Sequence, residues 1–156
     1  MIYFRDDAAA GDVDAGALVM TAGALLAAIG ESNASLSLSL VGDDAMRELN
    51  REHRGRDVPT DVLSFSIDGE AGHVASAGAR PERMLGDVVI SVDTARRQAA
   101  GYDATLQDEL YRLLIHGVLH VVGHDHEERD ERATMEREER RLADVIALPW
   151  PYETHR

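Results

Sequence analysis

The stretch from Leu106 to Val122 constrains the fold most, because apolar side chains would cover most of the circumference of a helix built from it. A helix that is apolar nearly all round must be buried. Its polar residues recur three or four positions apart and so form one narrow stripe. That stripe consists of Glu109, Arg112, His116 and His120. The sequence therefore predicts a core helix that carries two histidines, and buried imidazoles need partners.

Three histidines have the spacing HxxxHxxxxxH: His116 and His120 lie within this segment, and His126 lies shortly after it. Two histidines four residues apart on a helix lie about 40° apart around the axis and ~6 Å apart along it, so both can reach one ion. Gly123 allows the chain to leave the helix and to bring His126 back toward the other two. Three protein ligands leave a fourth tetrahedral position open, as in catalytic zinc sites. The pattern therefore predicts a metal-dependent hydrolase, in preference to three histidines that are merely hydrogen-bonded in the core.

A fourth histidine, His124, competes for the position of the third ligand. His126 is preferred, because Gly123 makes a helical continuation to residue 124 doubtful. Asp125 stands where a carboxylate could orient a neighbouring imidazole. His124 is then expected to be a gate residue or simply exposed. Three further histidines stand alone in polar contexts and are expected to be solvated: His53, His73 and His155.

Three segments, in this order, resemble the recurring segments of the YbeY family, bacterial endoribonucleases that act in ribosomal RNA maturation. They are LNREHRGRDVPTDVLSF at 49–65, LGDVVIS at 85–91 and HGVLHVVGHDH at 116–126. Together with their surroundings they cover more than half of the chain, from about Leu49 to Met135. The resemblance implies zinc on His116, His120 and His126, and single-strand-preferring cleavage in small-subunit rRNA 3′-end maturation and ribosome quality control. One departure is the histidine at 124, where the family often has tyrosine.

The resemblance also implies a functional arginine in the segment EHRGRD, which maps to Arg54. Arg51, Arg54 and Arg56 bracket Gly55 in a predicted turn after a helix and form a candidate phosphate clamp. The planar guanidinium suits bidentate contact with phosphate, and a positive group beside a metal would stabilise charge in the transition state. On composition alone, a solvated loop arginine is the simpler interpretation, and only the resemblance favours a catalytic role.

Two other functions compete with a ribonuclease. Zinc proteases use the same helical pair of histidines in HExxH, but Gly117 stands where their general-base glutamate would be. A non-catalytic ribosome-assembly factor could instead use the metal structurally, with Asp125 closing the ligand shell. No general base can be named, and attack by water is not distinguished from attack by the RNA 2′-hydroxyl. Zinc is favoured over other divalent transition metals only by abundance and by the resemblance.

The charge of the chain runs against general nucleic-acid binding, since the formal net charge is -13. All 16 basic residues are arginines, and outside the acidic segment 127–144 they are concentrated at 51–56, 80–83 and 96–97. We therefore expect local contact with RNA, on a ribosome or with a ribosome-associated protein. The absence of cysteine excludes disulfides and thiolate ligands and fits a reducing cytoplasm. The longest apolar stretch, 15–29, is too short and too rich in alanine to span a membrane, so a soluble cytoplasmic protein is expected.

The periodicities predict one α+β domain over residues 1–156, a roughly four-stranded mixed sheet covered by helices, among them the buried histidine helix. Strands are predicted at 2–5, 35–41, 61–67 and 84–91, and the serine–leucine alternation at 35–41 indicates one solvated face. Helices are predicted at 14–29, from an Asp43 or Asp44 cap to 52, and at 93–100 and 106–122. An acidic helix at 127–144 is expected to be solvated. The long loop 68–83 is expected to be either a lid or a surface insertion.

Overall fold

The structure is a computed structural model that describes residues 1–67, 83–124 and 128–150. Within these residues the strands are β1 (Ile2–Asp6), β2 (Ala34–Val41), β3 (Val62–Ser66) and β4 (Arg83–Ser91). The helices are α1 (Ala15–Ala28), α2 (Asp43–Arg54), α3 (Val92–Gly101), α4 (Leu106–Val121) and α5 (Arg129–Val145). Each predicted strand and helix is found, with its ends shifted by at most a few residues. The predicted loop at 68–83, and with it the lid, lies almost entirely outside the described residues.

The four strands form one mixed sheet in the order β1-β2-β4-β3, which confirms the predicted fold class. β1, β2 and β4 are parallel, and β3 pairs antiparallel with β4 at one edge of the sheet. The backbones of Asp61 and Ile67 hydrogen-bond to β4. Because backbone groups alternate in direction along a strand, the backbone of Ser64 points to the outer edge instead. This edge becomes part of the site described below.

The main core lies between the sheet, α1 and α4, and α3 and α5 also contact α4. The apolar residues of α4 from Leu110 onward are fully or almost fully buried, as the sequence predicts, whereas Leu106 and Tyr111 are partly buried. Gly117 is where α4 comes closest to the sheet: a Cβ built there would lie 2.7 Å from Val88 Cγ1 and 3.2 Å from Ser64 Oγ. Ser64 also donates a hydrogen bond from its hydroxyl to the Gly117 carbonyl, at 3.1 Å. The missing side chain therefore sets how closely the histidine helix packs on β3 and β4.

The second face of the sheet is only partly covered. α2 packs Met46 and Leu49 against Val41, Leu63 and Val89 at one end of it. The serines of β2 are not all solvated as the alternation indicated: Ser35 is fully buried, and Ser37 and Ser39 are half-buried. The predicted solvated face is therefore found only in part, at Ser37 and Ser39, because the rest of this face is covered.

Neither Asp43 nor Asp44 caps α2, contrary to the sequence prediction. The N-cap is Gly42, and the Asp43 carboxylate instead accepts hydrogen bonds from the hydroxyls of Ser91 and Thr94, both at 2.7 Å. Its partial burial acts to raise its pKa, but these two hydrogen bonds and the guanidinium of Arg97 hold the pKa of Asp43 below its usual range. The carboxylate thus ties the start of α2 to the end of β4 and the start of α3.

The acidic helix α5 is not simply solvated. It buries a stripe along the core whose members are Met135, Glu139, Leu142 and Ala143. The prediction missed that stripe because the charged residues on the rest of the helix outnumber it. No helix in the described part of the chain is long and apolar enough to cross a membrane.

Candidate metal centre

The two histidines of α4 converge on one point. Thr105 caps the start of this helix by accepting a hydrogen bond from the Asp108 amide at 3.0 Å. Four residues apart near the other end, His116 and His120 place their Nε2 atoms 3.2 Å from each other, with ring centroids 4.6 Å apart. Both side chains are partly exposed to one cavity. The structure thus brings together the pair that the spacing predicted.

This pair fits a shared metal ion. Two nitrogen ligands of a tetrahedral zinc ion, each about 2.0–2.1 Å from it, lie about 3.3 Å apart. The separation of the two Nε2 atoms, 3.2 Å, matches that requirement. Within residues 1–67, 83–124 and 128–150 no group of three or more His, Asp or Glu side chains surrounds such a point. His126, predicted as the third ligand, and Asp125 lie outside the described residues, so the three-ligand assignment stays a prediction.

A buried carboxylate from α5 holds the first histidine of the pair. Glu139 is 6% exposed, and its Oε2 lies 2.9 Å from His116 Nδ1. A carboxylate accepts hydrogen bonds, so this contact places the proton of the neutral imidazole on Nδ1 and leaves the Nε2 lone pair available. Metal-binding histidines commonly donate their other ring nitrogen to a carboxylate in this way. Glu139 therefore fixes the orientation and the tautomer that a metal ligand needs.

Sequence reasoning assigned this orienting role to Asp125 and missed Glu139. The signal was nevertheless present in the sequence. Met135, Glu139 and Leu142 are spaced four and three residues apart, which places them on one face of a helix. A glutamate in the apolar stripe of an otherwise acidic helix indicates a buried carboxylate with a partner, because an unpaired buried charge is costly.

The predicted polar stripe of α4 continues away from the histidines as a connected network. The side chain of Glu109 is fully buried and forms an ion pair with Arg112. Arg112 also donates to Gln98 Oε1 at 3.4 Å, and Gln98 donates to Asp61 Oδ2 at 3.3 Å. Asp61 itself lines the histidine cavity. The stripe is thus satisfied within the protein, and it joins α4 to α3 and to the start of β3.

Arg54 reaches the histidine cavity from α2. Gly55 ends this helix in the left-handed conformation, with a φ of 71° that glycine adopts at little cost. Arg54 then donates from Nη2 to the outward carbonyl of Ser64, at 2.9 Å. The cavity, about 420 Å³, is lined by Arg54, both histidines and the β3 side at 60–64 and Ser66. A guanidinium and two imidazoles therefore share one cleft.

The three-arginine clamp reduces to Arg54. Arg51 forms an ion pair with Glu48 on the surface of α2, and hydrogen bonding with Glu48 raises the pKa of Arg51. Arg56 is exposed, and neither Arg51 nor Arg56 lines the histidine cavity. Of these three arginines, only Arg54, which the family resemblance selected, lines the cavity of the histidine pair.

The remaining histidines separate by location. His124 lines a different cleft, next to the start of α5 with Asp130 and Thr134, and not the cavity of the histidine pair. This agrees with its exclusion as the preferred ligand. His53 is exposed but not simply solvated, because its ring packs edge-on against Phe65 with centroids 5.1 Å apart. His73 and His155 lie outside the described residues.

Gly117 also bears on the protease alternative. HExxH proteases need a glutamate directly after the first histidine, as the base that activates the metal-bound water. Here that position packs against Val88 and Ser64, with no space even for a Cβ atom. A glutamate could not be placed there without moving α4 off the sheet, so the arrangement does not support peptide hydrolysis by that mechanism.

Comparisons with known proteins agree on one family. A family model described as Endoribonuclease YbeY matches residues 14–147. Endoribonuclease YbeY of Bacillus subtilis (strain 168) is 37% identical over 119 residues, which cover 76% of this chain and 76% of that protein. Endoribonuclease YbeY of Moorella thermoacetica is 50% identical over 115 residues, which cover 72% of this chain and 73% of that protein. The solution structure of TM1509 from Thermotoga maritima has a similar fold, with a TM-score of 0.63 at 24% identity over 94% of this chain and 89% of that one.

Proposed function

Since the chain belongs to the endoribonuclease YbeY family, we propose that it cleaves RNA in the cavity shared by His116, His120 and Arg54. The observation that carries this proposal is the convergence of the two Nε2 atoms, 3.2 Å apart, in a cleft that also holds a guanidinium. A metal ion and a cationic phosphate-binding group can both stabilise the charge that develops during phosphodiester cleavage.

The cofactor of this proposal is one zinc ion, held by His116, His120 and His126. When bound, zinc would supply Lewis acidity toward a phosphodiester oxygen and would lower the pKa of a coordinated water. The residues of the chain prepare that site. Glu139 accepts from Nδ1 of His116, so that Nε2 carries the lone pair, and the α4 backbone keeps His120 one turn away. Other divalent transition metals could occupy the same imidazole set, because the ligand type does not distinguish them.

Arg54 is the residue proposed to act on the phosphate. Its hydrogen bond to the Ser64 carbonyl, at 2.9 Å, fixes the direction of the guanidinium and uses only part of its five N–H donors. The remaining donors can pair with phosphate oxygens and offset the charge that develops there during cleavage. No side chain of the described residues is assigned as general base, and both water and the RNA 2′-hydroxyl remain candidate nucleophiles.

The proposed substrate is single-stranded ribosomal RNA, and the proposed roles are 3′-end maturation of the small-subunit rRNA and ribosome quality control in the cytoplasm. An acidic chain with net charge -13 is poorly suited to tight sequence-independent binding of RNA. Recognition would therefore depend on a few local contacts, helped by the ribosome or a ribosome-associated protein. A chain without cysteine suits that reducing compartment.

One experiment separates this proposal from a non-catalytic assembly factor with a structural metal. We would measure the metal content of the untagged protein and its cleavage of a structured rRNA fragment, before and after chelation and after zinc is restored. The proposal predicts one metal per chain and cleavage that chelation abolishes and zinc restores. One metal per chain, with binding to ribosomal particles but no cleavage under any condition, would favour the assembly factor.

Two variants test the assigned roles. His116→Ala should remove metal and cleavage together, since it deletes one ligand. Arg54→Ala should keep the metal and reduce the cleavage rate about 10²- to 10³-fold, the usual cost of one transition-state donor. Arg56→Ala is the matched control, because Arg56 is an exposed arginine two residues away. It does not line the cavity and forms no ion pair with the described residues. Full metal content in His116→Ala would contradict the ligand assignment.

A further inference from the structure

A second cavity lies on the other side of Arg54. Its volume is about 470 Å³, and its walls include Leu49, His53, Phe65, Asp87 and Val89. Arg54, Ser64 and Ser66 line both this cavity and the histidine cavity. The two spaces therefore meet at the edge strand β3, and the guanidinium stands at their junction.

Strand register brings the two most distinctive groups of this cavity together. Phe65 on β3 pairs directly with Asp87 on β4, so both side chains project from the same face of the sheet. This is the face that α2 covers at only one end, with Leu49 close to Leu63 and Val89. Phe65 follows Leu63 by two residues on β3, and Asp87 precedes Val89 by two residues on β4. Both lie beyond the part of the face that α2 covers, and both are half-buried and open to the cavity.

The aromatic ring is framed by cationic and aromatic groups. Arg54 Cζ lies 5.0 Å from the centroid of the Phe65 ring, and the His53 ring meets it edge-on at 5.1 Å. Leu49 and Val89 add apolar walls. The Asp87 carboxylate is different, since no hydrogen bond or ion pair joins it to another residue in the described part of the chain. It is a hydrogen-bond acceptor close to the Phe65 ring, in a cavity that Arg54, Ser64 and Ser66 also line.

We propose that this cavity holds one unpaired nucleobase of the RNA and that Asp87 selects bases with an exocyclic amino group over uracil. Aromatic and guanidinium planes are the usual platforms for unstacked RNA bases. A carboxylate accepts hydrogen bonds from the amino groups of cytosine, adenine and guanine. Uracil has no amino group: two carbonyl oxygens flank its one N–H donor on this edge, and these oxygens repel a carboxylate.

The inference rests on the proposed function and deepens it. A nucleotide whose base occupies this cavity would place its phosphate at Arg54, and the chain could continue from there into the histidine cavity. The base next to the scissile phosphodiester would thus be read directly. A base that is stacked and paired in a duplex could not enter, so the same cavity accounts for a preference for single strands.

The test uses the full chain and short fluorescent oligouridylates in which one base is uracil, cytosine, adenine or guanine. Binding is measured by anisotropy in the presence of a chelator, and cleavage is measured separately with zinc. The wild type should bind the amino-bearing bases about 5- to 50-fold more tightly than uracil. Asp87→Asn should lose most of that preference by gaining affinity for uracil, because an amide can donate as well as accept.

Two further variants control this result. Phe65→Leu keeps an apolar side chain on β3 and should weaken binding of all four oligonucleotides about five- to tenfold through lost stacking. Asp103→Asn removes the same charge from an exposed position whose φ of 57° asparagine tolerates, and it should change nothing. Thermal unfolding of each variant shows whether it is folded.

Failure of this inference and failure of the proposed function give different results. Equal binding of all four bases by the wild type, or a base preference that survives Asp87→Asn, would overturn the nucleobase site even if RNA is cleaved. A base preference that depends on Asp87, without any metal-dependent cleavage, would support the site and overturn the ribonuclease proposal.

Discussion

Replacing Glu139 by glutamine is the most direct test of how the metal centre is held. The carboxylate is 6% exposed and lies 2.9 Å from His116 Nδ1. The substitution keeps size and shape but removes the charge, and the amide can also turn its NH₂ group toward the ring. Either change lowers the availability of the His116 Nε2 lone pair.

The expected loss follows from the kind of hydrogen bond. A hydrogen bond to a charged group contributes about 1.5–3 kcal/mol, compared with about 1 kcal/mol for a neutral one. The difference, about 0.5–2 kcal/mol, corresponds to a loss of about 2- to 30-fold in metal affinity. Mutation of a carboxylate that orients a metal-binding histidine generally lowers metal affinity about 10- to 100-fold. We therefore expect Glu139→Gln to weaken zinc binding about tenfold, and Glu139→Ala to weaken it further, since alanine offers His116 no partner at all.

Competition with a chromophoric zinc chelator at neutral pH measures this affinity directly. Glu138→Gln is the matched control, because Glu138 precedes Glu139 on α5 but pairs with Arg141, at 2.8 Å, and not with His116. Its zinc affinity should equal that of the wild type. A folded Glu139→Gln protein that also binds zinc as the wild type does, within about twofold, would refute the orienting role. An equal loss in both variants would indicate a general effect of charge.

Three other measurements test the fold and its link to the site. Gly117→Ala should lower the free energy of unfolding, measured by urea titration, by about 1–3 kcal/mol, because the new Cβ meets Val88 at 2.7 Å. Gly23→Ala in α1, where a Cβ meets nothing within 4 Å, should raise it by about 0.5–1 kcal/mol. Equal effects of the two substitutions would contradict the packing argument. Asp43→Asn should lower the free energy of unfolding by about 1–3 kcal/mol at neutral pH. Because the folded-state pKa of Asp43 is lowered, this deficit should persist above about pH 4 and vanish as the pH falls through the folded pKa. Asp44→Asn, at an exposed position, should change the free energy of unfolding little at any pH. Zinc at about 100 times its Kd should stabilise the folded protein by about 2.7 kcal/mol, and an unchanged melting temperature on chelation would argue against a resident metal.

Most of the fold could be predicted from the sequence because its elements have strong local signals. The apolar run of α4 and its Thr105 cap, and the alternation in β2, mark their elements without tertiary information. The histidine pair was predictable for the same reason, since a spacing of four on a helix determines a distance. In each of these cases the relevant geometry is local to one element.

The errors arise where the outcome depends on contacts between elements. The burial of Ser35 depends on the strands beside β2, and Asp43 binds Ser91 and Thr94 instead of capping its own helix. The sequence marks Glu139 as a buried carboxylate, but its partner, His116, depends on how α5 packs against α4. The cavity at Phe65 likewise depends on the pairing of β3 with β4, which the sequence did not specify.

The outward-facing edge of β3 has a consequence of its own. An edge strand offers unpaired backbone groups on which another chain can add a strand, and this is a common route to aggregation. Here the Ser64 carbonyl on that edge is occupied by Arg54, at 2.9 Å. We infer that the side chain proposed to bind phosphate also hinders the addition of another strand at this point of the edge. We expect Arg54→Ala to form dimers or larger species as its concentration rises, so its activity should be compared with that of the wild type at matched association state.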